Sequence, residues 1–213
     1  MNAQYLSYIF PAIELIAALF ATIHFSKYKH SREQYFLYFL WLTFIMDLAG
    51  VVLGPEYATV KTIWYAVFTV VSFVFYFYWY FSILIRKQIR VIAIIAALLF
   101  LAVTALTYAF PSQLGGQGYA FVTGATGILV LTVCHFYQLL RSDEVLAIKY
   151  KLSFWISTAL LLFYMGVMPL ALLTRYIEME AFNNTIILLS LNVILYGCYT
   201  IGFIWTKKEY NRL

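Results

Sequence analysis

Two acidic residues lie in segments that are otherwise apolar, where a carboxyl group can transfer a proton or bind a cation. Glu14 lies within FPAIELIAALF (residues 10–20), and Asp47 lies within FIMDLAG (residues 44–50). No lysine or arginine lies within a helical turn of Glu14 to pair with it. Such an acid either stays protonated and donates one hydrogen bond, or it exchanges a proton, binds a cation or pairs with a positive group on a ligand.

The elements that position these acids are predicted from composition. The chain is 64% hydrophobic and 11% charged, whereas soluble domains are about 25% charged. A hydrocarbon core about 30 Å thick needs a helix of roughly 20 apolar residues, and unpaired backbone groups cannot face lipid. Seven stretches meet this requirement, at about 4–25, 35–53, 62–85, 91–110, 119–140, 152–173 and 185–205. The sequence therefore predicts an all-α polytopic membrane bundle of seven transmembrane helices, forming one domain over residues 1–213.

Connections rich in basic residues alternate with connections poor in them, and this alternation predicts the orientation of the chain in the membrane. The rich set is Lys27, Lys29 and Arg32; Arg86, Lys87 and Arg90; Arg141, Lys149 and Lys151; Lys207, Lys208 and Arg212. The other side has Lys61 and Arg175. We therefore expect the N-terminus outside and the C-terminus in the cytoplasm. Residues 1–4 (MNAQ) lack the basic start of a signal peptide, so the first span is expected to remain.

Connections and breakers limit what else the chain can contain. Gly54 with Pro55, the segment 111–118 and Asn183 with Asn184 are predicted to separate spans. The longest connections have about eleven residues, which leaves no room for a soluble catalytic or nucleotide-binding domain. The net charge of +5 reflects topology, so no nucleic-acid partner is expected.

Depth along the predicted helices places the two acids together. Glu14 is roughly 13 Å and Asp47 roughly 10 Å below the outer surface at 1.5 Å per residue, and consecutive helices are usually neighbours. Asn192 reaches a similar depth in the seventh helix, Tyr196 lies one turn below it, and Tyr164 lies in the outer half of the sixth. The predicted ligand or ion site therefore comprises Glu14, Asp47, Asn192, Tyr164 and Tyr196. The structural alternative is interhelical hydrogen bonding for the amide and hydroxyl groups and a protonated acid for each carboxyl.

Other reactive residue types receive structural interpretations. His24 and His135 are expected near the inner membrane interface with ordinary hydrogen bonds, because no cluster of metal ligands accompanies them. Cys134 and Cys198 fall inside spans, which argues against disulfide or metal chemistry. No metal, cofactor or catalytic residue is predicted. The aromatic run VSFVFYFYWYF (residues 71–81) is expected mainly to fill the core, and Gly124 and Gly127 to allow close helix approach.

Three functional classes follow. The first is a sensor or partner-coupled receptor, with an outward-facing polar pocket for a small molecule or cation and basic inner loops that contact a cytoplasmic protein. The second is a transporter or channel for a small molecule, proton or cation, in which the two acids carry charge. The third is an intramembrane enzyme acting on a lipid, which the sequence supports least because no nucleophile is paired with a base. The lipid bilayer is a partner in all three.

Four segments carry a family resemblance: FPAIELIAALFATIHFSKYK, YFLYFLW followed by an acid, KLSFWISTALLLFYMG, and LNVILYGCYTIGFIW before a dibasic tail. The chain resembles an uncharacterised family of small seven-span inner-membrane proteins of bacteroidete bacteria. The resemblance implies topology and a bacterial inner-membrane location. It implies no catalytic residue.

Overall fold

The computed structural model describes residues 8–53, 57–110, 118–142, 145–173 and 181–211, and these residues form helices without any strand. Seven α-helices follow one another: α1 Ile9–Ile23, α2 Gln34–Val52, α3 Ala58–Ile83, α4 Lys87–Ala109, α5 Gly118–Leu140, α6 Leu152–Leu173 and α7 Ala181–Trp205. Short 3₁₀ helices occupy Phe25–Lys27, Val145–Tyr150 and Lys208–Asn211. The prediction of an all-α membrane bundle is confirmed.

Six of the helices, α2 to α7, are long and apolar enough to cross a membrane. Helix α1 is apolar but has 15 described residues, which span about 22 Å against the roughly 30 Å of a hydrocarbon core. The chain is therefore a multi-pass membrane protein. The seventh span and the orientation of the termini stay predictions.

The observed helices begin earlier than the predicted apolar spans at three places. Helices α3 and α4 start about one turn sooner, so that Lys61 and Arg90 lie within them. A cation can be part of the first turns because its long side chain reaches water from there. Asn183 and Asn184 lie in the first turn of α7, so the prediction that they separate two spans is wrong. The breakers at residues 54, 55 and 111–117 lie outside the described residues.

The helices pack as a closed ring in chain order. Each contacts the next, α7 returns to contact α1, and α3 also contacts α5 across the interior. The basic connections meet at one end of this ring. There, Lys27 Nζ donates to the Ile204 carbonyl at 2.7 Å, the Ile85 amide donates to Gln138 Oε1 at 2.9 Å, and the Leu152 amide donates to Asn211 Oδ1 at 3.1 Å. The Lys27 ammonium also suits the negative C-terminal end of α7.

Helix α3 provides the aromatic centre of the bundle. Phe73, Tyr76, Phe77 and Tyr80 are buried, while Tyr78 on the opposite face is exposed. This 3.6-residue periodicity places one face of the aromatic run inside and the other toward lipid. The expectation that part of the run fills the core is confirmed.

Close approach of α3 and α5 depends on two glycines of α5. A Cβ atom at Gly124 would lie 2.7 to 2.9 Å from three ring atoms of Phe73, and one at Gly127 would lie 3.0 Å from the Phe77 ring. The glycines therefore let aromatic rings of α3 lie directly on the α5 backbone.

We expect Gly124→Ala to lower the melting temperature of the detergent-purified protein. Phe73 is 2% exposed, so its ring has no room to move away, and overpacking of this kind costs about 1–3 kcal/mol. Gly197→Ala is the matched control, because a Cβ there meets nothing within 4 Å and alanine favours the helix by about 1 kcal/mol. Equal melting temperatures for the two variants would contradict the packing described for α3 and α5.

Candidate functional site

Glu14 lies on the inward face of α1 and is 3% exposed. The Tyr196 hydroxyl of α7 donates to Glu14 Oε1 at 2.8 Å. Within the described ranges, Glu14 Oε2 has no hydrogen-bond partner. Ala17 and Ala18, both fully buried on the following turn, keep side-chain bulk low where α1 meets its neighbours. The acid is thus held inside the bundle by a hydrogen bond from α7 to one of its oxygens.

Asp47 of α2 joins Glu14 in the same region. The two carboxyl groups interact electrostatically, and Asp47 also interacts electrostatically with Lys61 in α3. The Tyr65 hydroxyl shares this region with both acids, and a Cβ at Gly50 would lie 2.7 Å from the Tyr65 ring. The lack of a side chain at Gly50 therefore leaves the space that the Tyr65 ring occupies beside the acids. The structure brings Glu14, Asp47 and Tyr196 together, and their role in binding stays a prediction.

Pro11 does not interrupt the backbone above this region. It is the third residue of α1, where a missing N–H group breaks no intrahelical hydrogen bond. Pro169 differs because it lies inside α6.

The two remaining predicted site residues make other contacts. Asn192 Nδ2 donates to the Leu188 carbonyl of its own helix at 2.8 Å. Tyr164 is buried, with its ring 5.8 Å from the Phe73 ring and 5.3 Å from the Phe163 ring. These contacts belong to helix α7 and to the aromatic core, and neither involves the carboxyl pair.

Two further tyrosines, Tyr199 and Tyr76, lie next to Tyr196 on the side toward the basic end of the bundle. Tyr199 lies one turn along α7, with its ring 5.8 Å from the Tyr196 ring. The hydroxyl groups of Tyr199 and Tyr76 are 3.4 Å apart, and both residues are buried. Tyr76 therefore connects the acid-bearing side of the bundle to α3.

A third polar group lies one turn further along α3. The Tyr80 hydroxyl is 2.6 Å from Thr132 Oγ1 of α5 and 3.3 Å from Ser157 Oγ of α6. Ser157 Oγ is in turn 2.8 Å from His135 Nδ1. His135 and Ser157 lie five residues from the ends of α5 and α6 at the basic end of the bundle, a distance of about 7.5 Å. Polar groups thus continue into the half of the bundle opposite Glu14.

The two histidines differ from one another. His24 Nδ1 contacts the Phe20 carbonyl of its own helix at 3.0 Å, which agrees with the ordinary hydrogen bond expected for it. His135 is 2% exposed and packs edge-on against the rings of Trp79 and Tyr80. It is buried between helices near the basic end of α5, and its predicted level at the inner membrane interface stays a prediction.

Ser157 and His135 have the spacing of a nucleophile and its base, a pairing that the sequence analysis did not find. The serine has no exposed surface, and its oxygen lies between the Tyr80 hydroxyl and the imidazole. A nucleophile needs access to its substrate. The geometry instead makes Ser157 a hydrogen-bonding link between α3 and α5.

A cavity of about 340 Å³ opens at the basic end of the bundle, with His135 in its wall. Its charged lining residues are Arg32, Glu33, Arg90 and Lys151. The contacts of Tyr80, Ser157 and His135 therefore end beside a space lined by ionisable groups.

Glu33 precedes α2 and is 8% exposed. Burial raises the pKa of Glu33, while the hydrogen bond with Ser31 and the charges of Arg32 and Lys151 act in the opposite direction. The net effect is a raised pKa, which means that the folded protein binds this proton more tightly than the unfolded chain does.

The stability contributed by Glu33 is therefore present below the ordinary glutamate pKa and is lost as the pH rises through the raised folded value. We expect the melting temperature of the wild type, minus that of Glu33→Gln, to fall as the pH is raised from about 4 to about 7. Thermal unfolding in detergent measures this difference. Glu209→Gln removes an exposed acid and is the matched control. A difference that does not change with pH would contradict the assignment.

Sequence reasoning missed several members of this arrangement. Tyr65, Thr132 and Ser157 lie among apolar residues with no acid, histidine or repeated spacing to single them out. Within the described ranges, no three His, Cys, Asp or Glu residues lie close enough to hold a metal ion.

Comparison of the chain with protein-family models, curated proteins and solved structures gave no match. The class that the fold defines is that of an integral, multi-pass helical membrane protein.

Proposed function

We propose that this chain is a seven-span transporter that conducts protons through the interior of its bundle, with Glu14 and Asp47 as the acids of its outer half. The observation that carries the proposal is the succession of buried polar side chains from Glu14 to His135. Intramembrane acids and histidines in such a succession are the usual components of proton relays. The cavity beside His135 supplies the connection to water at the basic end.

The groups along this route can pass a proton because most are hydroxyls. Each hydroxyl can donate one hydrogen bond and accept others. The Thr132 hydroxyl donates to the Ile128 carbonyl, which leaves the Tyr80 proton for Thr132 or Ser157. The Ser157 proton then goes to His135 or back to Tyr80, according to the imidazole tautomer. Two directions of hydrogen bonding are therefore available in the same geometry.

Unpartnered polar atoms lie along the same route. Glu14 Oε2, Ser72 Oγ and Trp79 Nε1 are buried and have no hydrogen-bond partner among the described residues. Ser72 precedes Tyr76 by one turn of α3, and Trp79 packs against both Tyr80 and His135. Buried polar groups are normally satisfied by protein or by internal water, so these positions suit water molecules that connect one tyrosine pair to the next.

The proposal includes an orientation and a compartment. With α1 as the seventh span, the N-terminus lies outside and the basic end faces the cytoplasm, in accord with the distribution of lysine and arginine. The resemblance to small seven-span proteins of bacteroidete bacteria supports the bacterial inner membrane as its location.

We expect Glu14→Gln to abolish proton flux. In proteoliposomes with a potassium diffusion potential and a trapped pH-sensitive dye, the variant should acidify no faster than empty liposomes, because an amide cannot release a proton. Tyr196→Phe should slow the flux about tenfold or more, since the hydrogen bond to Glu14 Oε1 is removed.

Two variants serve as controls for that measurement. Glu209→Gln removes an exposed acid, and Tyr78→Phe removes a hydroxyl from the lipid-facing side of α3; both should retain wild-type flux. The proposal is rejected if folded Glu14→Gln protein conducts protons as fast as the wild type.

A second candidate function is the sensor with an outward-facing pocket. The Glu14 and Asp47 carboxyl groups and the nearby Lys61 charge favour it, because groups of opposite charge would suit a zwitterionic small molecule. In that case the wild-type protein conducts no protons in the same vesicles, and the basic cytoplasmic segments contact a protein partner.

The orientation has its own test. We expect Thr59→Cys, an exposed residue at the start of α3, to react with a membrane-impermeant maleimide in intact cells. Lys29→Cys, exposed between α1 and α2, should react only after permeabilisation. The reverse pattern would show that the N-terminus faces the cytoplasm.

A further inference from the structure

The cavity at the basic end has an excess of positive charge. Among the residues that the structure describes, Arg32, Arg90 and Lys151 bring three cations to its wall against the one carboxylate of Glu33. Glu33 is itself held by a hydrogen bond with Ser31.

The backbone adds to this positive field. Helices α2, α4 and α6 all begin at the basic end, at Gln34, Lys87 and Leu152. The lining residues Arg32 and Glu33 directly precede α2, Arg90 belongs to the first turn of α4, and Lys151 directly precedes α6. Each helix N-terminus carries about half a positive charge, so three dipoles and the cations act on one space.

Hydrogen bonds hold two donor side chains in place around the cavity. Arg90 Nε donates to the Leu84 carbonyl at 2.5 Å, which fixes the plane of the guanidinium and leaves its terminal nitrogens as donors. Gln138 Oε1 accepts from the Ile85 amide, which leaves its amide nitrogen as a donor. Both residues line the cavity. Fixed donors reduce the ordering cost of binding an acceptor.

We propose that this cavity binds a phosphate group, carried either by a soluble phosphorylated compound or by the headgroup of an anionic phospholipid. A phosphate monoester carries about −1.5 to −2 charges at pH 7, and the phosphodiester of a lipid headgroup carries a smaller negative charge, so either is attracted to a wall whose described cations outnumber its described carboxylate. Arginine binds phosphate through two parallel hydrogen bonds. The volume of about 340 Å³ lies within the range of small-ligand sites, about 300–1,000 Å³. The site rests on the cavity and its charges, and it holds whether or not the bundle conducts protons.

Binding is measured with the full-length protein in phosphate-free detergent. Calorimetric titration with inorganic phosphate and with glycerol phosphate tests the soluble source. Native mass spectrometry of protein reconstituted with phosphatidylglycerol, and separately with uncharged phosphatidylcholine, tests the lipid source.

We expect Arg90→Gln and Arg32→Gln each to weaken phosphate binding about tenfold or more, because each removes a charge-assisted hydrogen bond. Arg86→Gln is the matched control: Arg86 lies four residues before Arg90, is exposed and stacks near Tyr137. Glu33→Gln should have the opposite effect and tighten binding, since it removes the opposing charge. Glu14→Gln should leave phosphate binding unchanged, which separates this site from proton conduction.

Each result has a defined meaning. If the soluble probes bind and the variants follow this order, the ligand is a soluble phosphate compound. If one phosphatidylglycerol molecule is retained instead, and is lost from Arg32→Gln and Arg90→Gln but kept by Arg86→Gln, the phosphate belongs to lipid. If neither source binds, or if all variants bind as the wild type does, the proposed site is wrong.

Discussion

A polar side chain inside the bundle can bond only to other parts of the bundle or to internal water, because lipid offers no partner, and side-chain length decides which part it reaches. Thr43, Thr69, Thr104 and Asn192 bond to the carbonyl four residues earlier in their own helix. A tyrosine hydroxyl stands too far from its own backbone at the end of a rigid ring. Tyr76, Tyr80 and Tyr196 therefore bond to side chains of other helices. The tyrosines, more than the short polar residues, therefore join polar groups of different helices.

Helix α3 is where that constraint and the packing requirement meet. Its buried face must supply both the rings that fill the centre and the hydroxyls that join its neighbours, and Phe73, Tyr76, Phe77 and Tyr80 divide these tasks. Such a crowded face is possible because Gly124 and Gly127 let the rings lie on the α5 backbone. The polar route thus depends on two glycines that carry no polar side chain.

Much of this architecture can be predicted from the sequence because long apolar segments permit one backbone structure in lipid. The helices agree with the predicted spans to within about one turn at most ends, and the juxtaposition of Glu14 and Asp47 follows from depth and adjacency. The hydrogen bond between Glu14 and Tyr196 joins the first and last helices. The depth of a residue can be predicted from its position in the span, but the rotation of each helix about its axis cannot. That rotation turns Asn192 toward its own backbone and places Tyr164 among aromatic rings. It also buries His135 beside Ser157, which no spacing in the sequence indicates.

The hydrogen bond between Tyr196 and Glu14 joins residues 182 positions apart, and this separation has a consequence for biosynthesis. During synthesis, α1 is made long before α7 leaves the ribosome, so Glu14 is at first without its tyrosine partner. Asp47, in the next helix, is made well before Tyr196 and interacts with Glu14 electrostatically. The ring can close only when the final helix is complete, so the state that precedes closure exposes an acid along the edge of α1.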